Sequence, residues 1–160
     1  QQFMTGSISG MPPALNLEKE KNLQEAVLEA IRQNLIASAH DLSQGGLALA
    51  LLTSCKGELG VHVDWESGIR DDLALFSESQ SRILLSTVPQ NLLMLEKLMQ
   101  SRKIPSERVG VVMPGRFDID LNGKFLIQEE LPELQQLWEN ALENIMNSKH
   151  QGFYGEKQAA

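Results

Sequence analysis

Apolar residues recur at helical spacing at Leu23, Val27, Ala30, Ile31 and Leu35, which predicts a first helix. Asn16 is placed to cap its start, and Glu18 and Glu20 fall in the first turn, where carboxylates complement the helix dipole. The run Leu35-Ile36-Ala37-Ser38-Ala39 reads as the start of a short buried strand. Gly45-Gly46 then breaks the pattern before an Ala- and Leu-rich helix from Leu47 to Ser54. Val61 to Trp65 alternates apolar and polar residues, as a half-buried strand does. Leu73 to Phe76 is a further apolar segment, and Ile83 to Val88 reads as a strand stopped at Pro89. A helix face follows at Leu92, Leu95, Leu98 and Met99, then a strand over Arg108 to Met113.

The sharpest local signal is a hairpin, Phe117 to Leu121 and Lys124 to Ile127, joined by Asn122-Gly123. Asn-Gly tolerates the two positive φ angles that a type I′ turn demands. A last helix is expected from Pro132, with Leu134, Leu137, Trp138, Ala141, Leu142 and Ile145 forming a face to be buried against the sheet. The expected fold is α+β, with a mixed, largely antiparallel sheet packed with helices. Residues 1–14, with Met11-Pro12-Pro13, read as a linker or lead-in, 15–147 as a single domain and 148–160 as a loosely held tail.

Composition narrows the function classes. The chain has 160 residues, 42% of them hydrophobic, with a mean hydropathy of −0.20, which suits one soluble domain. No apolar run reaches the roughly 18–20 residues that span a bilayer, and no secretory signal pattern is visible. A net charge of −7 and scattered Lys and Arg argue against a nucleic-acid surface. One cysteine, Cys55, excludes an internal disulfide and fits a reducing cytoplasm; its apolar neighbours make it a core residue rather than a nucleophile.

Two polar stretches can carry chemistry. In Asp41-Leu42-Ser43-Gln44-Gly45-Gly46 a carboxylate and a hydroxyl precede two glycines at the head of a helix. Asp41 and Ser43 either cap that helix or face a ligand, while Gly45 and Gly46 either permit close packing or expose N–H groups to a phosphate. In Ser77-Glu78-Ser79-Gln80-Ser81-Arg82, the side chains of Glu78, Ser79, Gln80 and Arg82 either bind a polyhydroxyl or phosphate ligand or satisfy one another in a polar turn. His40 reads as a hydrogen-bonded structural residue more readily than as an acid–base group, and Asp71-Asp72 as a solvated turn rather than a magnesium site. No spacing supports a metal centre, and no catalytic nucleophile is assigned.

Taken together, Ser38-Ala39-His40-Asp41-Leu42-Ser43-Gln44-Gly45-Gly46-Leu47-Ala48 and Leu75-Phe76-Ser77-Glu78-Ser79-Gln80-Ser81-Arg82 resemble the phosphoribosylformylglycinamidine synthases. Gly10 to Leu15 and Leu134 to Leu142 fit the same place, so the resemblance extends from about residue 6 to residue 147. It points to a carboxy-terminal domain of the aminoimidazole ribonucleotide synthetase type. Such synthases carry two of these domains, an earlier copy with a Gln-Asp-Leu-Gly-Ala-Gly-Gly pattern and a last copy with His-Asp-Leu-Ser-x-Gly-Gly. His40, Ser43 and the Trp138-containing helix match the last copy, whereas Gln44 departs from the acidic residue common there.

The resemblance implies a cytoplasmic, ATP-dependent, amidine-forming ligase of purine biosynthesis. Its parent protein would use magnesium and ATP to convert formylglycinamide ribonucleotide and glutamine-derived ammonia to formylglycinamidine ribonucleotide. The implied partners are the other synthase domains and a glutaminase subunit or domain, with no nucleic acid and no membrane. Substrate contact belongs to the Glu-Ser-Gln run of the earlier copy; the last copy is implied to flank an auxiliary nucleotide site. The isolated domain is expected to be inactive and to hold no cofactor alone. The alternatives are another superfamily member (aminoimidazole ribonucleotide synthetase, selenophosphate synthetase or thiamine-phosphate kinase) or a noncatalytic scaffold module.

Overall fold

A computed structural model of the protein describes residues 14–147; the predicted tail and all of the lead-in before Ala14 lie outside them. The chain divides into two compact units: the described part of Gln1–Ser54 with Glu66–Val109, and Cys55–Trp65 with the described part of Gly110–Ala160. None of the described helices is long and apolar enough to cross a membrane.

In the first unit, helix α1 (Leu17–Arg32) begins where the sequence predicts: the Asn16 side chain accepts the Lys19 N–H at 2.9 Å. Its end explains one departure from expectation. Asn34 has a φ of 54°, its N–H reaches Ile31 O and the Leu35 N–H reaches Ala30 O. This is a Schellman cap, and it folds buried Leu35 back onto the helix instead of sending it into a strand. Strand β1 therefore starts only at Ser38, runs to Asp41, and is largely exposed rather than buried.

Helix α4 (Pro89–Ser101) ends by the same device, with Lys103 at a φ of 55° and the Ile104 N–H on Met99 O. The two helices share a core of Ala26, Ala30, Leu35, Leu95 and Met99, against which Ile36, Leu85, Leu98 and Ile104 pack. Arg102 bridges them, donating to Glu29 at 2.5 Å, while its main-chain oxygen accepts from Asn22. Strand β3 (Ile83–Ser86) is shorter than predicted, because Pro89 already opens α4, and pairs antiparallel with β1 in the register Asp41 to Ile83. Helices α2 (Gly46–Ser54) and α3 (Asp71–Phe76) complete the unit. Leu47, Ala48, Ala50 and Leu51 are buried on α2, Ala74 and Leu75 on α3.

The second unit is a four-stranded sheet in the order β4-β2-β5-β6. Strand β2 is Leu59–Trp65, β4 Gly110–Pro114, β5 Arg116–Leu121 and β6 Lys124–Glu130. Only β2 and β5 are parallel, so the mixed, largely antiparallel sheet matches the expected fold class. Val61, Val63, Phe117, Ile119 and Leu121 are its buried apolar side chains. The hairpin forms at Asn122-Gly123 with φ angles of 55° and 70°, as a type I′ turn requires. Arg116 braces its base, pairing with Asp118 at 2.9 Å and Glu130 at 2.6 Å.

The carboxy-terminal helix departs from expectation. Asn140 divides it into α5 (Leu131–Glu139) and α6 (Ala141–Asn147). Leu131 alone is fully buried, while Leu137, Trp138, Leu142 and Ile145 are 49–69% exposed. Amphipathic spacing predicts a helix correctly, but only contact buries its face, and here Leu131 is the buried anchor while Leu134 and Ala141 are half-buried.

Lys103 occupies a left-handed position that costs a side-chain-bearing residue about 1 kcal/mol relative to glycine. Lys103→Gly is expected to stabilise the first unit by roughly that amount, read as a raised urea midpoint with unchanged m-value. A second test uses Ser81, whose φ of 61° is held by a 2.5 Å hydrogen bond to Glu20 on α1. That bond, followed by one from Gln24, lowers the Glu20 pKa below its usual value. A depressed carboxyl pKa favours the folded state above the unfolded value and loses that contribution as pH falls through the folded one. Ser81→Ala is expected to shift the Glu20 titration upward in an NMR pH series; an unmoved midpoint contradicts the tether.

Candidate functional site

The two polar stretches singled out in the sequence meet in the first unit. Strand β1 delivers Asp41 to the start of the glycine turn, and β3 begins just after Arg82. The Leu42 N–H donates to Arg82 O at 3.1 Å, extending the ladder by one bond into both motifs. Beyond it, the Gly45 N–H donates to Glu78 Oε1 at 2.9 Å, although 33 residues separate them. A carboxylate from the second motif thus takes a main-chain donor at the head of α2, where negative charge is favoured by the helix dipole.

Close approach of the backbones requires glycine. Gly45 and Gly46 have φ angles of 76° and 61°. A Cβ on Gly46 would lie 2.7 Å from Leu75 O and 2.8 Å from Ser77 O, so a side chain would push α2 away from the end of α3. Of the two glycine roles weighed from the sequence, this turn displays close packing, with positive φ at both positions.

Arg82 closes the other side. Its guanidinium is half-buried and donates to Ser77 Oγ at 3.0 Å, Ser77 O at 3.3 Å and Ala74 O at 3.5 Å. Burial pushes its pKa down and Glu107 opposes that effect, but a guanidinium stays protonated throughout the physiological range. It thereby meets main-chain oxygens at the carboxy-terminal end of α3, the end that attracts a cation.

The remaining candidates face outward to different degrees. Asp41, Ser43, Glu78 and Gln80 are exposed, whereas Ser79 is half-buried. His40 is engaged through both ring nitrogens: Nδ1 lies 2.6 Å from Asp41 O and Nε2 lies 3.2 Å from Thr53 Oγ1. A carbonyl only accepts, so Nδ1 carries a proton, and the ring braces β1 against α2 as a structural histidine. Cys55 is half-buried and its thiol pKa is raised by burial, which disfavours a thiolate. Asp72 pairs with Arg70 at 2.5 Å, and Asp71 and Asp72 form the first turn of helix α3 rather than the expected solvated turn. Among the described residues, no group of three or more His, Cys, Asp or Glu could hold a metal ion.

Sequence reasoning did not find Glu20 or Thr53 as supports of these motifs. Glu20 lies 61 residues from Ser81 and reads as an ordinary first-turn carboxylate. Thr53 reads only as a polar residue near the end of an apolar helix. A concavity of about 540 Å³ along the first turns of α1, lined by Asn16, Glu18, Lys19, Lys21, Asn22 and Glu25, is open and contains none of the motif residues.

Comparison with known proteins places this geometry in context. The chain is 42% identical over 134 residues to the PurL subunit of phosphoribosylformylglycinamidine synthase from Caldanaerobacter subterraneus, covering 83% of the chain and 18% of that protein. The PurL subunit from Alkaliphilus metalliredigens is 38% identical over 144 residues, 89% of the chain and 20% of the relative. The chain therefore spans about a fifth of the length of these curated relatives. Phosphoribosylformylglycinamidine synthase II from Thermotoga maritima superposes with a TM-score of 0.67 at 26% identity, over 76% of this chain and 22% of that one. Other structures of Thermotoga maritima PurL were solved complexed with FGAR, ADP and AMPPCP. The family model for the C-terminal domain of AIR synthase related proteins matches residues 3–121, and the chain belongs to that family.

Proposed function

We propose that this chain is a domain of a phosphoribosylformylglycinamidine synthase, working in the cytoplasm in purine biosynthesis. The observation that carries this reading is the 2.9 Å bond from Gly45 to Glu78, which joins both family-type motifs in a chain 42% identical to a PurL subunit. The parent reaction would phosphorylate the formyl-amide oxygen of formylglycinamide ribonucleotide with ATP. Ammonia from a glutaminase partner would then add at that carbon and phosphate would leave, giving formylglycinamidine ribonucleotide, ADP and phosphate.

The role assigned to this domain is to shape one wall of a ribonucleotide or auxiliary nucleotide site. Asp41, Ser43, Ser79 and Gln80 supply its polar side chains, and Gly45 and Gly46 keep the backbone close. Glu78 and Arg82 complete the set. Complexes of the Thermotoga relative with FGAR and ADP support these two ligand classes. Magnesium suits the phosphate charge of ATP, but no three carboxylate, histidine or cysteine side chains gather among the described residues. No step is therefore assigned to a metal held here. Catalysis is assigned to the parent protein, and the isolated chain is inactive in this reading.

Exchange of the matching segment of the Caldanaerobacter subunit for this chain tests the proposal. The chimera is expected to retain ATP- and ammonia-dependent formation of formylglycinamidine ribonucleotide within about tenfold of the parent. Asp41→Asn in the chimera is expected to raise the apparent KM for a nucleotide or ribonucleotide at least severalfold. A soluble, folded chimera without turnover contradicts the family function, and turnover by the 160-residue chain alone contradicts the assigned division of labour.

A further inference from the structure

Arg82, counted above with the ligand wall, stands at a junction of the two motifs where its donors turn inward. Through its main chain it accepts the Leu42 N–H and sets the start of the glycine turn. Through its side chain it holds Ser77 and Ala74 at the end of α3. The next residue after Ser77 is Glu78, whose carboxylate returns to Gly45. These contacts close a ring: Arg82 main chain, Leu42, the glycine turn, Glu78, Ser77 and the Arg82 guanidinium.

We propose that Arg82 is a positioning residue, which acts through Ser77 and Glu78 to hold the Gly45 turn and does not itself contact a bound anion. The guanidinium donates twice from Nη1 and once from Nη2 to oxygens of α3 and its end. Turning it toward a ligand would strip those half-buried oxygens of a charged donor, which is costly. Ser77 would then lose the bonds to its hydroxyl and carbonyl and keep its N–H on Leu73 O, and Glu78 would be aimed less firmly at Gly45. What Arg82 positions is a ligand wall only on the reading given above; the positioning itself depends on this chain alone.

The experiment uses the full 160-residue chain, labelled with nitrogen-15, as wild type, Arg82→Met and Arg82→Lys. Amide exchange at Gly45 is expected to quicken about tenfold in Arg82→Met, a loss of order one charge-assisted hydrogen bond. Leu42, bonded to the main-chain oxygen of residue 82, should keep its protection and mark the strand pair as intact. Arg82→Lys should fall between, because a single ammonium cannot reproduce the guanidinium fork. Unchanged Gly45 exchange beside an intact Leu42 overturns the proposal. Where Arg82→Met also exposes Leu42, Arg82→Lys decides: faster Gly45 exchange supports the role and wild-type exchange overturns it.

Titration of the Caldanaerobacter chimera with ADP, where the parent domains are present, separates this inference from the proposed function. Wild-type Arg82 guanidinium resonances are expected to stay in place while Asp41, Ser43 or Ser79 signals move. A shift of the guanidinium through direct contact overturns the positioning role. Absence of any shift at those three residues counts against the ligand wall, while the exchange result decides the positioning role independently.

Discussion

The arrangement of the first unit depends on how closely two backbones approach at Gly46. Its Cα lies so near the carbonyls of Leu75 and Ser77 that a Cβ would have no room, and the adjacent Gly45 N–H is bonded to Glu78. Together they seat the start of α2 on the end of α3. Neither motif builds this junction alone: one contributes glycines and a main-chain donor, the other carbonyls and a carboxylate. The half-buried Arg82 then offsets the partial negative charge at the end of α3. Packing and electrostatics act in the same direction.

The surrounding elements keep that junction in place. Two Schellman caps turn Leu35 and Ile104 back into one apolar core, so the ends of α1 and α4 are tied where β1 and β3 need to pair. Ser81 adopts a left-handed conformation immediately before Arg82 and is tied to Glu20 on α1. A non-glycine residue in that region stores strain, which neighbouring contacts must offset. The polar loop is thus anchored to the helical core at Ser81 and to the glycine turn at Glu78. The second unit relies on a different principle, with alternating buried positions on β2 and β5 and an Asn-Gly turn fixing the hairpin.

Much of this was legible where the cause is local. The Asn16 cap, the alternation of Val61 to Trp65 and the Asn122-Gly123 turn each depend on neighbouring residues, and the structure reproduces them. Two expectations failed where tertiary contact decides. Leu35 looked like strand but closes a helix cap, and the face from Leu137 to Ile145 looked buried but is exposed. At the candidate site, residue types were readable and their partners were not. Nothing in the local pattern says that Glu78 should reach Gly45, or that the Arg82 donors should turn inward to α3. The family resemblance paired the two stretches, while the hydrogen bond supplies the physical link between them.

The most direct measurement of that link is amide exchange at Gly45 in Glu78→Ala and Glu78→Gln chains. Alanine removes the acceptor, whereas the glutamine amide oxygen preserves one of similar reach. The account predicts roughly tenfold faster Gly45 exchange in Glu78→Ala, with protection largely restored in Glu78→Gln and Leu42 unaffected in both. Equal Gly45 exchange in wild type and Glu78→Ala, with the fold intact, would contradict the claim that the two motifs are joined through this bond.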